Sequence, residues 1–402
     1  MSVLSGSRII VGVTGGIAAY KAADLTSKLV QAGAIVDVIM TEAAEKFVGS
    51  ATFQALTKRH VHQSVFADWT EDWHGHISLA QDTDAIVIVP ATANTIGRFA
   101  AGLSDDMLGS VLLSTRAPLL VVPAMEHEMY RHPATQANLE TLKSRGVIQV
   151  GPETGRLASG KLGEGRMSSV EAVIGALRKV LGRGGPLTGM KAVITAGGTR
   201  EPIDPVRYLG NRSSGLMGFS LAQAAVDAGA SVTLISTIQS TAIPFGVDLV
   251  RVQTAQEMFE AVMRETESAQ ILIMAAAVAD FRPVQPARDK MKKTPGNDHI
   301  SLELAKTADI IASVQNLGLL KVGFAAETQN LIEYATAKMH DKGLAMIVAN
   351  DAELTIGSPD SAAFILFANG KPMIKLPRLP KAEVAEHVMA EISFIAQPTS
   401  HV

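Results

Sequence analysis

Hydrophobic positions in this chain fall mainly into short unbroken blocks, separated by glycine turns and by stretches with a helical repeat. Blocks of that kind mark strands buried on both faces, as in parallel sheets covered by helices. Arg8–Thr41 (RIIVGVTGGIAAYKAADLTSKLVQAGAIVDVIMT) reads as strand, glycine turn, amphipathic helix, AGA turn and second strand. Lys191–Thr237 repeats the plan, with a long insertion between the glycine turn and the helix. The glycine of each AGA turn suits the left-handed position just past a helix end. DAIVIVPATAN and APLLVVPAM in the first half, and QILIMAAAVADF and LKVGFAAET in the second, are further buried strands ending in small-residue loops. Parallel sheets place ligands beyond the carboxyl ends of their strands, where those loops begin. The pattern predicts two doubly wound α/β domains. The Gly/Pro-rich stretch GRGGPLTG (182–189) follows a predicted helix and reads as a linker dividing 1–181 from 190–402.

Composition narrows this picture. A chain of 402 residues is too long for one ordinary core. With 47% hydrophobic residues but only 4% aromatic, the core must be aliphatic. A formal net charge of −3 supplies no basic field for nucleic acid, so any anion must be met by local groups. The absence of cysteine excludes disulfides, thiolate nucleophiles and thiolate metal sites. No apolar run reaches the ~18 residues of a membrane helix, and the start lacks a basic segment before its apolar stretch. The expectation is a soluble cytoplasmic protein with no membrane partner.

Several stretches carry candidate chemistry. GVTGGIAAYK places Gly15 and Gly16 ahead of a helix N-terminus, which suits a phosphate, although tight strand-to-helix turns need glycine in any case. Thr41, in MTEAAEKF, reads as a helix N-cap or as a ligand contact. Thr92 and Asn94 follow a strand in PATANTIGRFAAGLSDDML, with Asp105 and Asp106 beyond a glycine. In RLASGKLGEGRM (Arg156–Met167) the glycine spacing forbids a regular helix. Arg156 and Lys161 are available there for an anion, Ser159 lies at the centre, and Arg166 and Met167 close the loop. His74 and His76 form an HxH pair on alternate strand positions; with Glu126, Glu128 and His132 they form a candidate metal set, but no third ligand has convincing spacing. His62, His127 and His132 read as surface or capping residues.

The second half carries the strongest signal. Ile194–Gly218 (ITAGGTREPIDPVRYLGNRSSGLMG) gathers backbone amides, Arg200, Arg207, Arg212 and two serines near one helix N-terminus, a generous cradle for phosphates. Asp280 stands at the mouth of a buried strand in AAAVADFRP. DKMKK (Asp289–Lys293) is either a solvated charge cluster or, beside the cradle, a source of a lysine for nucleotidyl transfer. Lys338 and Lys342 lie four apart on a predicted helix and so face the same way.

In order, GVTGGIAAYKA, MTEAAEKF, PATANTIGRFAAGLSDDML, PAMEHEMY and RLASGKLGEGRM resemble the flavin-dependent cysteine decarboxylase family. Met190 to about Phe394 resembles phosphopantothenate–cysteine ligases, so that the whole chain resembles the bifunctional decarboxylase/ligase family of coenzyme A synthesis. The resemblance implies a flavodoxin-like domain binding FMN, then a Rossmann-like ligase domain using Mg2+ and CTP. Its substrates would be 4′-phosphopantothenate, L-cysteine and CTP. Ligation would pass through an acyl-cytidylate. In the decarboxylation the substrate thiol would be oxidised, CO2 would leave, and the enethiol would be reduced and protonated.

The resemblance assigns His76 as catalytic base, Gly15, Gly16, Thr41, Thr92 and Asn94 to the flavin, and Met125, Glu126 and Arg166 to substrate. It places Ser159 where the family uses a cysteine in the reductive step. In the ligase half it implies that Asn211 stabilises the acyl-cytidylate and its attack, Lys290 supports cytidylate formation, and Arg207 meets substrate. Asp280, Ala308, Asp309, Ile310, Ile311, Phe324, Lys338 and Lys342 would contact the nucleotide, with Asp280 also a metal ligand. It further implies a homo-oligomer, trimeric through the flavin domains and dimeric through the ligase domains, hence a dodecamer.

The departures are Glu126 for asparagine, Tyr130 for tryptophan, Ser159 for cysteine, Leu216 for lysine, and KTADII for the commoner NPDI. An ionised glutamate cannot donate a hydrogen bond to a substrate carboxylate, and a serine cannot enter thiol redox chemistry. One alternative therefore keeps the ligase active and makes the flavin half a binding or assembly module. A non-enzymatic regulator is a third reading, against which Asn211 and Lys290 argue.

Overall fold

The computed structural model describes residues 2–66, 75–292, 299–316, 318–327, 329–351, 355 and 357–397. His74 and Lys293, both named above, lie outside the described residues. The described residues divide into two compact units, Ser2–Leu181 and one that begins at Gly182.

The first unit is a six-stranded parallel sheet built from β1 (Arg8–Val13), β2 (Ile35–Met40), β3 (Val61–His62), β4 (Ala85–Ala91), β5 (Leu119–Pro123) and β6 (Ile148–Gln149), in the order β3-β2-β1-β4-β5-β6. The strand order therefore reverses between β1 and β4, which pair in register from Ile9↔Ala85 to Gly12↔Ile88. Every residue of β4 is buried, as the unbroken apolar run AIVIVPA requires of a central parallel strand. Leu108 packs so closely on β1 that a Cβ on Gly12 would lie 2.8 Å from its Cδ1. An antiparallel hairpin, β7 (Glu153–Arg156) and β8 (Leu162–Arg166), is appended outside the sheet.

The second unit holds an eight-stranded sheet of β9 (Lys191–Ala196), β12 (Ser231–Ser236), β13 (Val247–Arg251), β14 (Ile271–Met274), β17 (Leu320–Glu327), β18 (Met346–Asp351), β19 (Asp360–Phe367) and β20 (Ile374–Pro380). Its order is β13-β12-β9-β14-β17-β18-β19-β20, parallel as far as β18 and antiparallel through β19 and β20. Again the order turns at the first strand, between β9 and β14. Two short hairpins stand apart from the sheet: β10 (Arg200–Pro202) with β11 (Tyr208–Gly210), and β15 (Phe281–Pro283) with β16 (Leu304–Lys306). Both faces of the sheet carry apolar clusters, one centred on Ile194, Ile273 and Val388, the other on Val193, Leu272 and Met339.

Both AGA glycines take the left-handed conformation, at φ +85° for Gly33 and +90° for Gly229. The stretch read as a linker is instead packed: Leu187 is fully buried and its amide donates to Ala228 O (2.9 Å). A Cβ on Gly185 would lie 2.5 Å from the same carbonyl, so these glycines serve close backbone approach rather than flexibility. The strand predicted for the HxH segment is also corrected: His76 opens a short helix, His76–Gln81. His76 therefore does not stand on the strand from which the metal pair was read, and His74 lies outside the described residues.

Candidate functional site

A cavity of about 1490 Å3 opens at the carboxyl ends of the first sheet, where the strand order reverses. It is lined by four strand-end loops: Gly15 and Gly16 after β1, Thr41 after β2, Thr92 and Asn94 after β4, and Met125 and Glu126 after β5. A side chain on Gly15 would collide with Ala43, its Cβ lying 2.4 Å from that residue's Cβ, so glycine there lets two loops close together. Thr14 donates to Pro90 O (2.6 Å) and accepts from Thr92 N (3.2 Å), stitching the first and fourth strand ends together. Thr92 caps the helix Ala93–Ala101 through Thr95 N.

Thr41 occupies an N-cap position, but its side chain makes no capping bond. Its Oγ1 is buried without a partner on a residue that lines the cavity, an orphaned polar group that a ligand atom could satisfy. This is the clearest structural fit to a phosphate-bearing cofactor such as FMN. Arg98 at the rim is paired with Asp105 and with Asp106 (3.2 Å), whose carboxylate also caps the helix Met107–Ser114. Its charge is already matched, so Arg156, Arg166 and Lys21 are the cations left to meet an anion; Lys161 is not among the lining residues described.

The hairpin β7–β8 closes one side of the cavity. Gly165, at φ +133°, brings its carbonyl to Met125 N (3.0 Å), and a Cβ there would lie 2.2 Å from Met125 O. His127, read from sequence as a surface or capping residue, holds the same hairpin: its Nδ1 lies 3.1 Å from Glu164 N. His132 does cap a helix, accepting from Ala134 N (3.2 Å), whereas His62 is buried.

Not every predicted residue reaches the cavity. Ser159 sits at the exposed tip of the hairpin, accepting from Lys161 N (3.4 Å), while its neighbours Leu157 and Ala158 line the wall. His76 is absent from the described lining, and its Nδ1 is buried without a hydrogen-bond partner. Glu126 is half-buried on the wall. Among the described residues no cluster of three or more His, Cys, Asp or Glu side chains forms a metal site.

A second cavity, about 870 Å3, opens at the corresponding edge of the second sheet. It brings together Asn211, Asp280, Ala308, Asp309, Ile310, Ile311, Phe324, Lys338 and Lys342. Two threonines, one at the end of β9 and one after the glycine turn, tie β9 to the loop after β14: Thr195 Oγ1 accepts from Ala276 N (3.1 Å) and Thr199 Oγ1 from Ala279 N (2.9 Å). Asn211 Nδ2 donates to Val278 O (2.9 Å), which orients the amide at the cavity edge and leaves its second N–H for a ligand. Thr307, in the variant KTADII, donates to Ala279 O (2.6 Å) and ties the Ala308–Ile311 wall to the loop of Asp280.

Charges in this cavity are partly matched. Lys342 pairs with Asp309 (2.9 Å). Burial alone would raise the Asp309 carboxyl, but this bond and Ala312 N hold it below its ordinary range. Lys338 donates to Phe324 O (2.9 Å); burial first, and Lys342 beside it second, push its ammonium below the usual lysine value. Sequence reasoning missed Lys381, which is buried on the same wall, donates to Thr355 O (3.1 Å) and is likewise lowered by burial. A lone lysine opening a C-terminal helix carries no local signature. Arg207 and Lys290 are not among the residues that line the cavity, and both are exposed. Leu216 takes the first helical position beside Gly215, so that position adds no cation, and Arg212 is the cation of this loop that lines the cavity.

Known families match both units. A flavoprotein family model matches residues 2–182, and a model of the DNA/pantothenate metabolism flavoprotein C-terminal domain matches residues 187–395. The coenzyme A biosynthesis bifunctional protein CoaBC of Vibrio cholerae is 44% identical over 397 residues, covering 97% of this chain and 98% of its own. That of Bacillus subtilis is 42% identical over 404 residues, covering 98% and 99%. Among solved structures, the C-terminal domain of a CoaBC protein is 38% identical, covers 52% of this chain and 97% of its own, and has a TM-score of 0.45.

Proposed function

Because the chain belongs to the CoaBC family of bifunctional coenzyme A biosynthesis proteins, we propose that its second unit joins cysteine to 4′-phosphopantothenate using CTP. Its first unit then decarboxylates the 4′-phosphopantothenoylcysteine formed. The observation that carries the ligase reading is the convergence of Asn211, Asp280, Lys338 and Lys342 on one cavity at the reversal of the sheet.

A carboxylate is a poor electrophile until one oxygen becomes part of a leaving group. In the first step the 4′-phosphopantothenate carboxylate attacks the α-phosphorus of CTP and pyrophosphate leaves. In the second the cysteine amine attacks the acyl carbon, CMP leaves, and the amine gives up its proton. Lys338 and Lys342 offset the triphosphate charge, and Phe324 and Ala308–Ile311 hold the nucleotide between them. Asn211, tethered through one N–H to Val278 O, points its other N–H at the acyl oxygen as negative charge develops there. Lys290 supports the first step and Arg207 meets the pantothenate substrate. Mg2+ would be held mainly by the triphosphate, with Asp280 as its protein ligand, and would offset phosphate charge. CTP rather than ATP rests on family membership.

In the first unit the unpartnered Thr41 hydroxyl, the Gly15–Gly16 turn and Asn94 would hold FMN, which supplies hydride acceptance and return when bound. Met125, Glu126 and Arg166 form the wall against which substrate lies, and His76 is the assigned base. Exposed Ile17, Tyr20, Phe66 and Met129 around the mouth support the proposed oligomer, trimeric through this unit and dimeric through the other. No described helix is long and apolar enough to cross a membrane, which is consistent with a cytoplasmic enzyme. Glu126 and the off-cavity Ser159 favour a second reading for this unit, a flavin-binding or assembly module beside an active ligase.

The test supplies phosphopantothenoylcysteine and follows CO2 and product mass. Full turnover gives CO2 and phosphopantetheine. Release of CO2 with an accumulating enethiol would place the defect in the reductive step and predicts a gain with Ser159→Cys. FMN bound without CO2 release would sink the decarboxylase reading. For the ligase, Asn211→Asp should let the acyl-cytidylate accumulate, and unchanged turnover would refute its role.

A further inference from the structure

The EPIDPVRY segment holds a carboxylate that the chemistry above does not use. Asp204 is 3% exposed and its side chain is wholly buried. It lies in the turn between β10 and β11, at the end of the hairpin away from Asn211. Those ends are about 10 Å apart, the rise of three strand residues. Asp204 Oδ1 accepts from Val206 N and Arg207 N, both at 2.8 Å, which closes the turn. Its second oxygen turns outward: Oδ2 accepts from Met291 N (3.2 Å) and lies 3.6 Å from Arg207 Nε. Arg207 then donates from Nη2 to Met291 O (2.7 Å), so both polar groups of Met291 are held. The same segment is pinned once more, by Ala287 N to Ile203 O (2.9 Å).

Lys290 lies between those two anchors. Planarity of the peptide joining Lys290 to Met291 means that fixing Met291 N–H fixes that plane and, with it, the position of the Lys290 Cα. A turn alone would need only one carboxylate oxygen. Burial pushes the Asp204 carboxyl up, but three backbone amides and Arg207 hold it below its ordinary range, so both oxygens remain acceptors at neutral pH.

We propose that Asp204 is a positioning residue of the ligase: its Oδ2 couples the β10–β11 hairpin, which carries Arg207 and leads into Asn211, to the Lys290 segment, and so holds the backbone that carries Lys290 in place for cytidylate formation. This deepens the ligase reading and rests on the assignment of Lys290 within it.

Asp204→Asn is the informative change. Its single amide oxygen can keep the two turn bonds, whereas its NH2 would face the Met291 N–H donor to donor. The two half-reactions are measured on one preparation of the full chain. Pyrophosphate release from CTP and 4′-phosphopantothenate reports the first, and cysteine capture of supplied acyl-cytidylate the second. Their ratio is independent of how much of the variant folds. The expected result is a first step slowed about 10–100-fold and a second step within about twofold of wild type. Asp204→Asn combined with Lys290→Gln should be no slower than Lys290→Gln alone, because both remove the same contribution.

An equal fall in both steps would show that Asp204 serves only folding and would overturn the proposal, as would multiplicative effects in the double variant. Lys290→Gln impaired with Asp204→Asn at wild-type rates would refute the role of Asp204 alone. Lys290→Gln at wild-type rates would refute the assignment of Lys290, and with it the route proposed here.

Discussion

Gly165→Ala tests how the β7–β8 hairpin is held over the first cavity. At φ +133° an L side chain is strained, at a cost of about 1–3 kcal/mol. The added Cβ would also stand 2.2 Å from Met125 O, against an ordinary carbon–oxygen approach of about 3.3 Å. The hairpin must therefore retreat by about 1 Å, and the 3.0 Å bond from Met125 N to Gly165 O breaks, with a net loss of about 0.5–1.5 kcal/mol. Together these favour the open hairpin by roughly 1.5–4.5 kcal/mol, or about 10-fold to over 1000-fold in the closing equilibrium.

The assay is binding of phosphopantothenoylcysteine to the FMN-loaded protein, with pyrophosphate release by the second unit as internal control. Substrate affinity should fall at least about 10-fold while pyrophosphate release holds. Gly160→Ala provides the comparison: Gly160 has φ +85° but nothing within 4 Å of an added Cβ, so only strain of about 1–2 kcal/mol is incurred there. Affinity within about twofold of wild type in Gly165→Ala, or equal losses in the two variants, would refute the claim that contact with the Met125 wall holds the β7–β8 hairpin in place.

Two further predictions follow from the second unit. Lys338 has a lowered ammonium pKa, so CTP binding should weaken as pH rises through that value, below the range where an exposed lysine titrates; Lys338→Met should abolish this pH dependence in a binding titration between about pH 7 and 10. The sign for stability is opposite. The unfolded chain binds the proton more tightly, so the burial cost of the charge is present at neutral pH and is relieved as pH climbs from the folded value towards 10.5. Leu187→Ala should destabilise the second unit by about 2–5 kcal/mol in chemical denaturation, as for a core leucine; no change would restore the reading of 182–189 as a linker.

Much of the architecture was legible because parallel α/β order is written locally. Unbroken runs such as AIVIVPA become strands buried on both faces, and the AGA glycines take the left-handed conformation past each helix. The strand-end loops named from sequence do converge on two cavities, since a doubly wound sheet delivers them to one edge. Glu126, Ser159 and Leu216 were visible as departures from motif, because a residue's identity needs no coordinates.

Only the tertiary structure decided what each side chain meets. The Gly/Pro stretch at 182–189 has the composition of a linker, yet Leu187 is buried because Ala228 offers a backbone partner about 40 residues away. Thr41 looks like a helix cap, but its hydroxyl is left unpartnered on the cavity wall. His127 braces Glu164 across a sequence gap that no periodicity spans. Asp204 Oδ1 closes a local turn, whereas its Oδ2 holds Met291 only because the fold returns the chain there 87 residues later. Sequence determines local conformation and chemical type, whereas long-range partners are set by burial and closure of the whole unit.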